Sequence, residues 1–115
     1  MIKLYGIPNC DTVKKARAWL AENQIDYEFV DFKKQPPQAE WLEAWLTQIP
    51  LETLLNKRGT TWRKLDAAQQ AEAQDAAGAV RLMQAQPSII KRPVLDKDGS
   101  FSAGFSADAY RAIFA

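Results

Sequence analysis

Cys10 is the only cysteine in the 115-residue chain, and the chain has no histidine. These two facts bound the chemistry. One cysteine allows no internal disulfide, as suits a reducing compartment. Without histidine there is no Cys–His or Ser–His–Asp nucleophile, no His-bearing zinc site and no imidazole acid–base group. Any reactivity of Cys10 must draw on backbone dipoles and on lysine or arginine. The spacing around it excludes two familiar motifs. In a C-x-x-C reading the resolving position is Val13, so no intramolecular dithiol cycle is possible. A C-x5-R phosphatase loop would need arginine at Ala16; Arg17 comes one residue late and belongs to the following helix.

What positions Cys10 is a strand-to-helix junction. Ile2 to Gly6 is short, apolar and β-prone, and Pro8-Asn9 breaks it. Met1 to Tyr5 has no basic region leading into an apolar stretch, so it reads as the first strand and not as a signal peptide. From Asp11 the spacing turns helical, with Val13, Ala16 and Leu20 on one face, Trp19 beside them, and Lys14, Lys15 and Glu22 outward. Asn9 or Cys10 itself is the expected N-cap, and the helix should end near Asn23. Free N–H groups and the helix dipole point at Cys10, so a thiolate there is stabilised as any anion would be. A stabilised thiolate is also a good leaving group, so a mixed disulfide on it is readily resolved by a second thiol. The bland competitor is a buried, inert cysteine serving as a small hydrophobe.

Tyr27 to Phe32 reads as a second strand, apolar on both faces, as in a sheet covered on two sides. Strand, helix and strand then form a right-handed βαβ unit. After Pro36-Pro37 comes a helical stretch: Glu40 to Gln48, a short apolar segment Pro50 to Leu55, a basic glycine-bearing segment Asn56 to Thr61, and a helix from Ala67 to Gln86 broken near Gly78. Arg92 to Leu95 and Phe101 to Gly104 read as strands three and four, joined by a tight hairpin turn at Lys97-Asp98-Gly99-Ser100. Ser106 starts a last helix that buries Tyr110, Ile113 and Phe114. The fold class expected is α/β: a thioredoxin-like (glutaredoxin-like) four-stranded mixed sheet, with a helical insert over about 38–88 between the βαβ and ββα halves of one domain, 1–115.

That arrangement selects the cations worth attention. In thioredoxin-like folds the loop before the third strand faces the reactive cysteine and carries a cis proline, and Pro93 is the one proline placed for it. Arg92 beside it can meet an oxyanion or carboxylate with a forked pair of bonds. Arg58, in the glycine-bearing loop, sits where a flap would be, and Lys14 lies one helical turn from Cys10. The four tryptophans read as packing residues. A net charge of +1 gives no pull towards nucleic acid or a membrane surface, and no apolar run approaches the ~20 residues that span a bilayer.

Three segments taken together resemble a known family: Gly6-Ile7-Pro8-Asn9-Cys10-Asp11-Thr12-Val13-Lys14-Lys15, Lys57-Arg58-Gly59-Thr60, and Pro87-Ser88-Ile89-Ile90-Lys91-Arg92-Pro93-Val94. At this spacing they resemble the arsenate-reductase-like (ArsC/Spx) family, most closely its short YffB-type branch, over essentially the whole chain. The resemblance implies a nucleophilic cysteine at Cys10. In the arsenate reductases of the family this cysteine takes up arsenate, arginines surround the oxyanion, and glutathione with glutaredoxin completes the reduction. Arg92 and Arg58 match two of those arginines. Phe105 stands in the place of a third; it supplies no donor and is expected to line the pocket with apolar surface, making arsenate a poor substrate. The YffB-type branch implies a glutathione-dependent thiol reductase that forms a mixed-disulfide or oxyanion adduct on Cys10. No metal and no tightly bound cofactor are expected. Glutathione is the expected co-substrate and glutaredoxin a partner, for a cytoplasmic monomer without nucleic-acid or membrane contacts. The alternatives are a glutathione- and glutaredoxin-coupled arsenate reductase and an Spx-like regulator that binds RNA polymerase. Against the regulator stand Val13 in place of a second cysteine and a chain that stops at Ala115, directly after the last helix.

Overall fold

Residues 1–115 are all described in the computed structural model. In chain order the elements are β1 (Ile2–Gly6), α1 (Asp11–Glu22), β2 (Glu28–Asp31), α2 (Ala39–Leu46), α3 (Leu51–Leu54), α4 (Thr60–Lys64), α5 (Ala67–Glu72), α6 (Ala76–Ala85), a 3-10 turn (Pro87–Ile89), β3 (Val94–Lys97), β4 (Ser100–Ala103) and α7 (Ala107–Ile113). They form two compact units, a sheet unit of Met1–Gln35 with Arg92–Ala115 and a helical unit of Pro36–Lys91.

In the sheet unit the strand order is β2-β1-β3-β4. β1 runs parallel to β2, with Leu4 opposite Phe29, and antiparallel to β3, with Tyr5 opposite Val94. β3 and β4 are antiparallel, joined by Asp98 and Gly99 at φ 52° and 93°. Positive φ at both central residues is what a type I′ hairpin turn needs, and it twists with the strands it joins. α1 buries Val13, Ala16 and Leu20. Asn23 caps its C-terminus and Gln24 follows in the left-handed region, where the Ile25 N–H returns to the Leu20 carbonyl and the Gln24 N–H to the Ala21 carbonyl. This is the Schellman closure, made here by glutamine instead of glycine. α7 starts at Ser106, whose hydroxyl accepts the Ala109 N–H. Leu4, Ala16, Leu20, Leu95 and Tyr110 form the buried core, with Trp19, Phe105 and Phe114 packed around it.

Three strands differ from their sequence reading; β4 runs Ser100–Ala103, one residue earlier than Phe101 to Gly104. β2 is shorter than Tyr27 to Phe32 and lies at the sheet edge with Glu28 exposed. Tyr27 and Phe29 pack on the core, so the apolar content of this segment reflects side-chain burial and not ladder pairing along its whole length. β3 begins two residues later than Arg92, because Pro93 has no N–H to give a ladder.

In the helical unit the buried set includes Leu42, Trp45, Leu54, Met83 and Ile89. Chain segments far apart in sequence are tied by the Asn56 N–H to the Ile89 carbonyl (2.6 Å) and the Lys91 N–H to the Leu54 carbonyl (2.7 Å). The apolar segment after Pro50 is a helical turn, α3, and the end of the basic stretch, Thr60 and Thr61, enters α4. The long alanine-rich helix breaks near Gly78 as expected, over residues 73–75. α5 stops at Glu72, and Asp75 restarts the chain as N-cap of α6 by accepting the Gly78 N–H at 2.7 Å. Gly78 is there for close approach: a Cβ on it would lie 2.0 Å from the Glu72 carbonyl oxygen. No helix is long and apolar enough to cross a membrane.

Candidate functional site

Register alone gathers the sheet unit's candidate residues. β3 starts opposite the end of β1, and β4 ends opposite the start of β3. The Gly104 N–H donates to the Pro93 carbonyl at 2.8 Å. The β1–α1 loop with Cys10, the Arg92-Pro93 pair and Gly104-Phe105 therefore share one end of the sheet.

Cys10 is the N-cap of α1, with extended backbone (φ −95°, ψ 128°) and no side-chain capping bond. Its carbonyl accepts the Lys14 N–H at 2.9 Å, and its own N–H reaches the Ile7 carbonyl at 3.4 Å. The thiol is half-buried. It sits where serine or aspartate would otherwise satisfy the first free N–H groups, and Sγ is a poor substitute acceptor. The sulfur is thus not consumed by a structural bond. Gly6 sets the approach of strand to helix, since a Cβ on it would come within 2.9 Å of Val13 Cγ2. Val13 is fully buried, so the second position of a C-x-x-C motif packs into the core.

Pro93 is buried and follows a cis peptide bond from Arg92. Arg92 is half-buried, and its Nε is enclosed with no hydrogen-bond partner. An enclosed donor without an acceptor is costly in a resting protein and is relieved when an anion arrives. Lys14 is exposed on α1. Arg58 is exposed in the helical unit, where it borders a cleft of about 340 Å³ with Asn56, Lys57 and Lys91. Phe105 is half-buried, and its ring packs edge-to-face on Tyr110 with centroids 4.7 Å apart, at the edge of the core. Burial raises the Tyr110 phenol above its ordinary range, and burial followed by the charges of Asp96 and Glu28 raises Tyr5.

One residue that the sequence reading set aside belongs in this description. Arg17 is half-buried, donates from Nε to the Tyr27 hydroxyl at 2.9 Å, and lies 4.1 Å over the Phe29 ring. The signal was available: two aromatics at alternate positions on one strand face, in reach of an arginine on the preceding helix.

A mixed four-stranded sheet with an N-capping cysteine after its first strand and a cis proline before its third defines a thioredoxin-like protein. The chain matches the ArsC family model over residues 5–113 and belongs to that family. It is 50% identical to a YffB protein of solved structure, with TM-score 0.95 and 100% of both chains covered. It is also 50% identical to an arsenate reductase (ArsC) related protein from Brucella melitensis, with TM-score 0.76 over 98% of this chain and 93% of that one. A global transcriptional regulator Spx of Enterococcus faecalis is 30% identical over 96% of this chain and 84% of its own length.

Proposed function

We propose that the protein is a glutathione-dependent thiol reductase working through Cys10 alone. The observation that carries this reading is a half-buried sulfur at a helix N-cap with no capping bond of its own. In the first step the Cys10 thiolate attacks one sulfur of a glutathione mixed disulfide. A Cys10–glutathione disulfide forms and the substrate leaves as its thiolate. In the second step a glutathione thiolate attacks the glutathione sulfur of that adduct, releasing oxidised glutathione and the Cys10 thiolate. Over the cycle the incoming glutathione thiolate is oxidised and the substrate sulfur is reduced to its thiolate, while the other glutathione sulfur stays at the disulfide level. The enclosed, unpaired Nε of Arg92 suits an anionic group of the adduct, with Lys14 as a further cation in the same unit. Such a cycle belongs in a compartment that keeps glutathione reduced, the cytoplasm.

Mass spectrometry after exposure to oxidised glutathione tests the reading. Cys10 should gain one glutathione and lose it on addition of reduced glutathione, and Cys10→Ser should gain none. An unmodified Cys10 under those conditions ends the proposal.

Kinship with the Brucella protein favours arsenate as a second substrate. The apolar ring at Phe105 argues for slow turnover, since one cation fewer surrounds the oxyanion. Arsenate reduction coupled to glutathione and glutaredoxin, as fast as in three-arginine relatives assayed alongside, would put that activity first. Regulation in the manner of the Spx relative would instead appear as capture of RNA polymerase α subunit by the purified protein.

A further inference from the structure

Beside the cysteine loop the sheet unit holds a cleft of about 360 Å³ lined by Pro8, Arg17, Phe29, Asp31, Lys34 and Gln35. Arg17 is fixed within it before any ligand arrives, by the Tyr27 hydroxyl on one edge and the Phe29 ring beneath. The chain's ion pairs are Met1–Asp98 and Asp108–Arg111, so no carboxylate neutralises Arg17. Its Nε is taken by Tyr27, which leaves the two terminal nitrogens as an open fork, the geometry that matches a carboxylate. Across the cleft, Asp31 accepts the Lys33 N–H with Oδ1 at 2.9 Å and keeps Oδ2 for another donor. A fixed cation and a carboxylate in one cleft match a ligand group that carries both charges.

We propose that this cleft is a subsite for the zwitterionic amino-acid end of the thiol that reacts at Cys10, with Arg17 taking its carboxylate and Asp31 its ammonium group; the assignment rests on the thiol-exchange reading above. The γ-glutamyl end of glutathione is such a group. The span fits. Cys10 and Arg17 are two helical turns apart on one face of α1, about 10 Å at ~1.5 Å per residue. The reacting sulfur sits on glutathione's central residue, and the seven bonds from it to the γ-glutamyl α-carbon cover about 9 Å when extended. Because the guanidinium is already held, binding gives up little side-chain freedom, which favours affinity.

The competing account is that Arg17 only pins α1 to the aromatic pair on the neighbouring strand. Calorimetric titration with S-methylglutathione, a thioether that cannot exchange, separates the two. The companion ligand is S-methylcysteinylglycine, which lacks the γ-glutamyl end. The wild-type protein should prefer S-methylglutathione. Arg17→Gln should weaken that ligand by about tenfold or more while binding the truncated one as the wild type does. Arg17→Lys, which keeps the charge but loses the fork, should fall between. Should Arg17→Gln fail to fold, Asp31→Asn gives the same discrimination: it should weaken S-methylglutathione but not its N-acetyl derivative. No preference in the wild type, or an equal loss of both ligands in the variant, overturns the subsite. A Cys10 that forms no mixed disulfide while the Arg17 discrimination persists would end the exchange reading and leave the subsite standing.

Discussion

The sheet unit and the helical unit reach their folds by different means. In the sheet unit each central strand is held by two ladders, and the turns and caps between elements are local: Asp98-Gly99, Gln24 and Ser106. In the helical unit no helix exceeds the ten residues of α6. Helices below about 12–15 residues are marginal alone, so these stand on mutual burial of Leu42, Trp45, Leu54 and Met83. Only α5 and α6 in that unit carry side-chain caps, from Asp66 and Asp75. The difference shows where precision is available. A sulfur, a cis proline and a half-buried arginine are held at one end of a paired sheet, whereas the helical unit offers Arg58 on an exposed loop.

The largest test of this contrast sets the two arginines against each other. Arg92→Ala should slow glutathionylation of Cys10 by about 10- to 150-fold, the loss of one charge-assisted bond of about 1.5–3 kcal/mol, with the melting temperature little changed. Arg58→Ala should slow it less than about fivefold, as for an exposed charge. Equal effects, measured by quenched-flow mass spectrometry, would erase the distinction. Next comes Gly78→Ala. Its Cβ meets the Glu72 carbonyl, so overpacking of about 1–3 kcal/mol is expected in urea unfolding, with amides of α5 and α6 losing hydrogen-exchange protection first. An unchanged urea midpoint would mean that the α5–α6 junction yields freely.

The smallest effect concerns Tyr110. Burial raises its phenol in the folded state above the ordinary ~10, so the contribution is complete below that pH and is lost as pH rises through and beyond it. Tyr110→Phe should therefore flatten the alkaline fall in stability. At neutral pH it should change stability by less than about 1 kcal/mol, since the buried hydroxyl has no partner to lose. An alkaline limb identical to the wild type would assign that fall to other groups, Tyr5 first among them.

Much of the sheet unit was legible in the sequence. β1, α1, the hairpin turn and the Ser106 cap rest on signals within a few residues of where they act. The helical unit was harder, because its breaks follow packing. Gly78 read as a helix breaker, yet its meaning lay in the approach of a carbonyl six residues away in sequence. Phe105 shows a related limit: its place in the sequence carries no sign of the edge-to-face contact it makes with the Tyr110 ring. Arg17 was passed over because it was compared with one loop motif and not with Tyr27 and Phe29, ten and twelve residues further along the chain. Chemistry-bearing residues that act through neighbours distant in sequence leave only indirect traces in it.

The fully buried Val13 has a kinetic consequence. A second cysteine at that position would attack an adduct on Cys10 intramolecularly, at an effective concentration set by the fold and independent of the surroundings. With valine there, release of the proposed adduct would be a bimolecular event. Its rate would scale with the amount of free thiol outside, and the occupied fraction of Cys10 would rise as that thiol is depleted. The chain would then register the supply of its own reductant as a mass increase on a single atom.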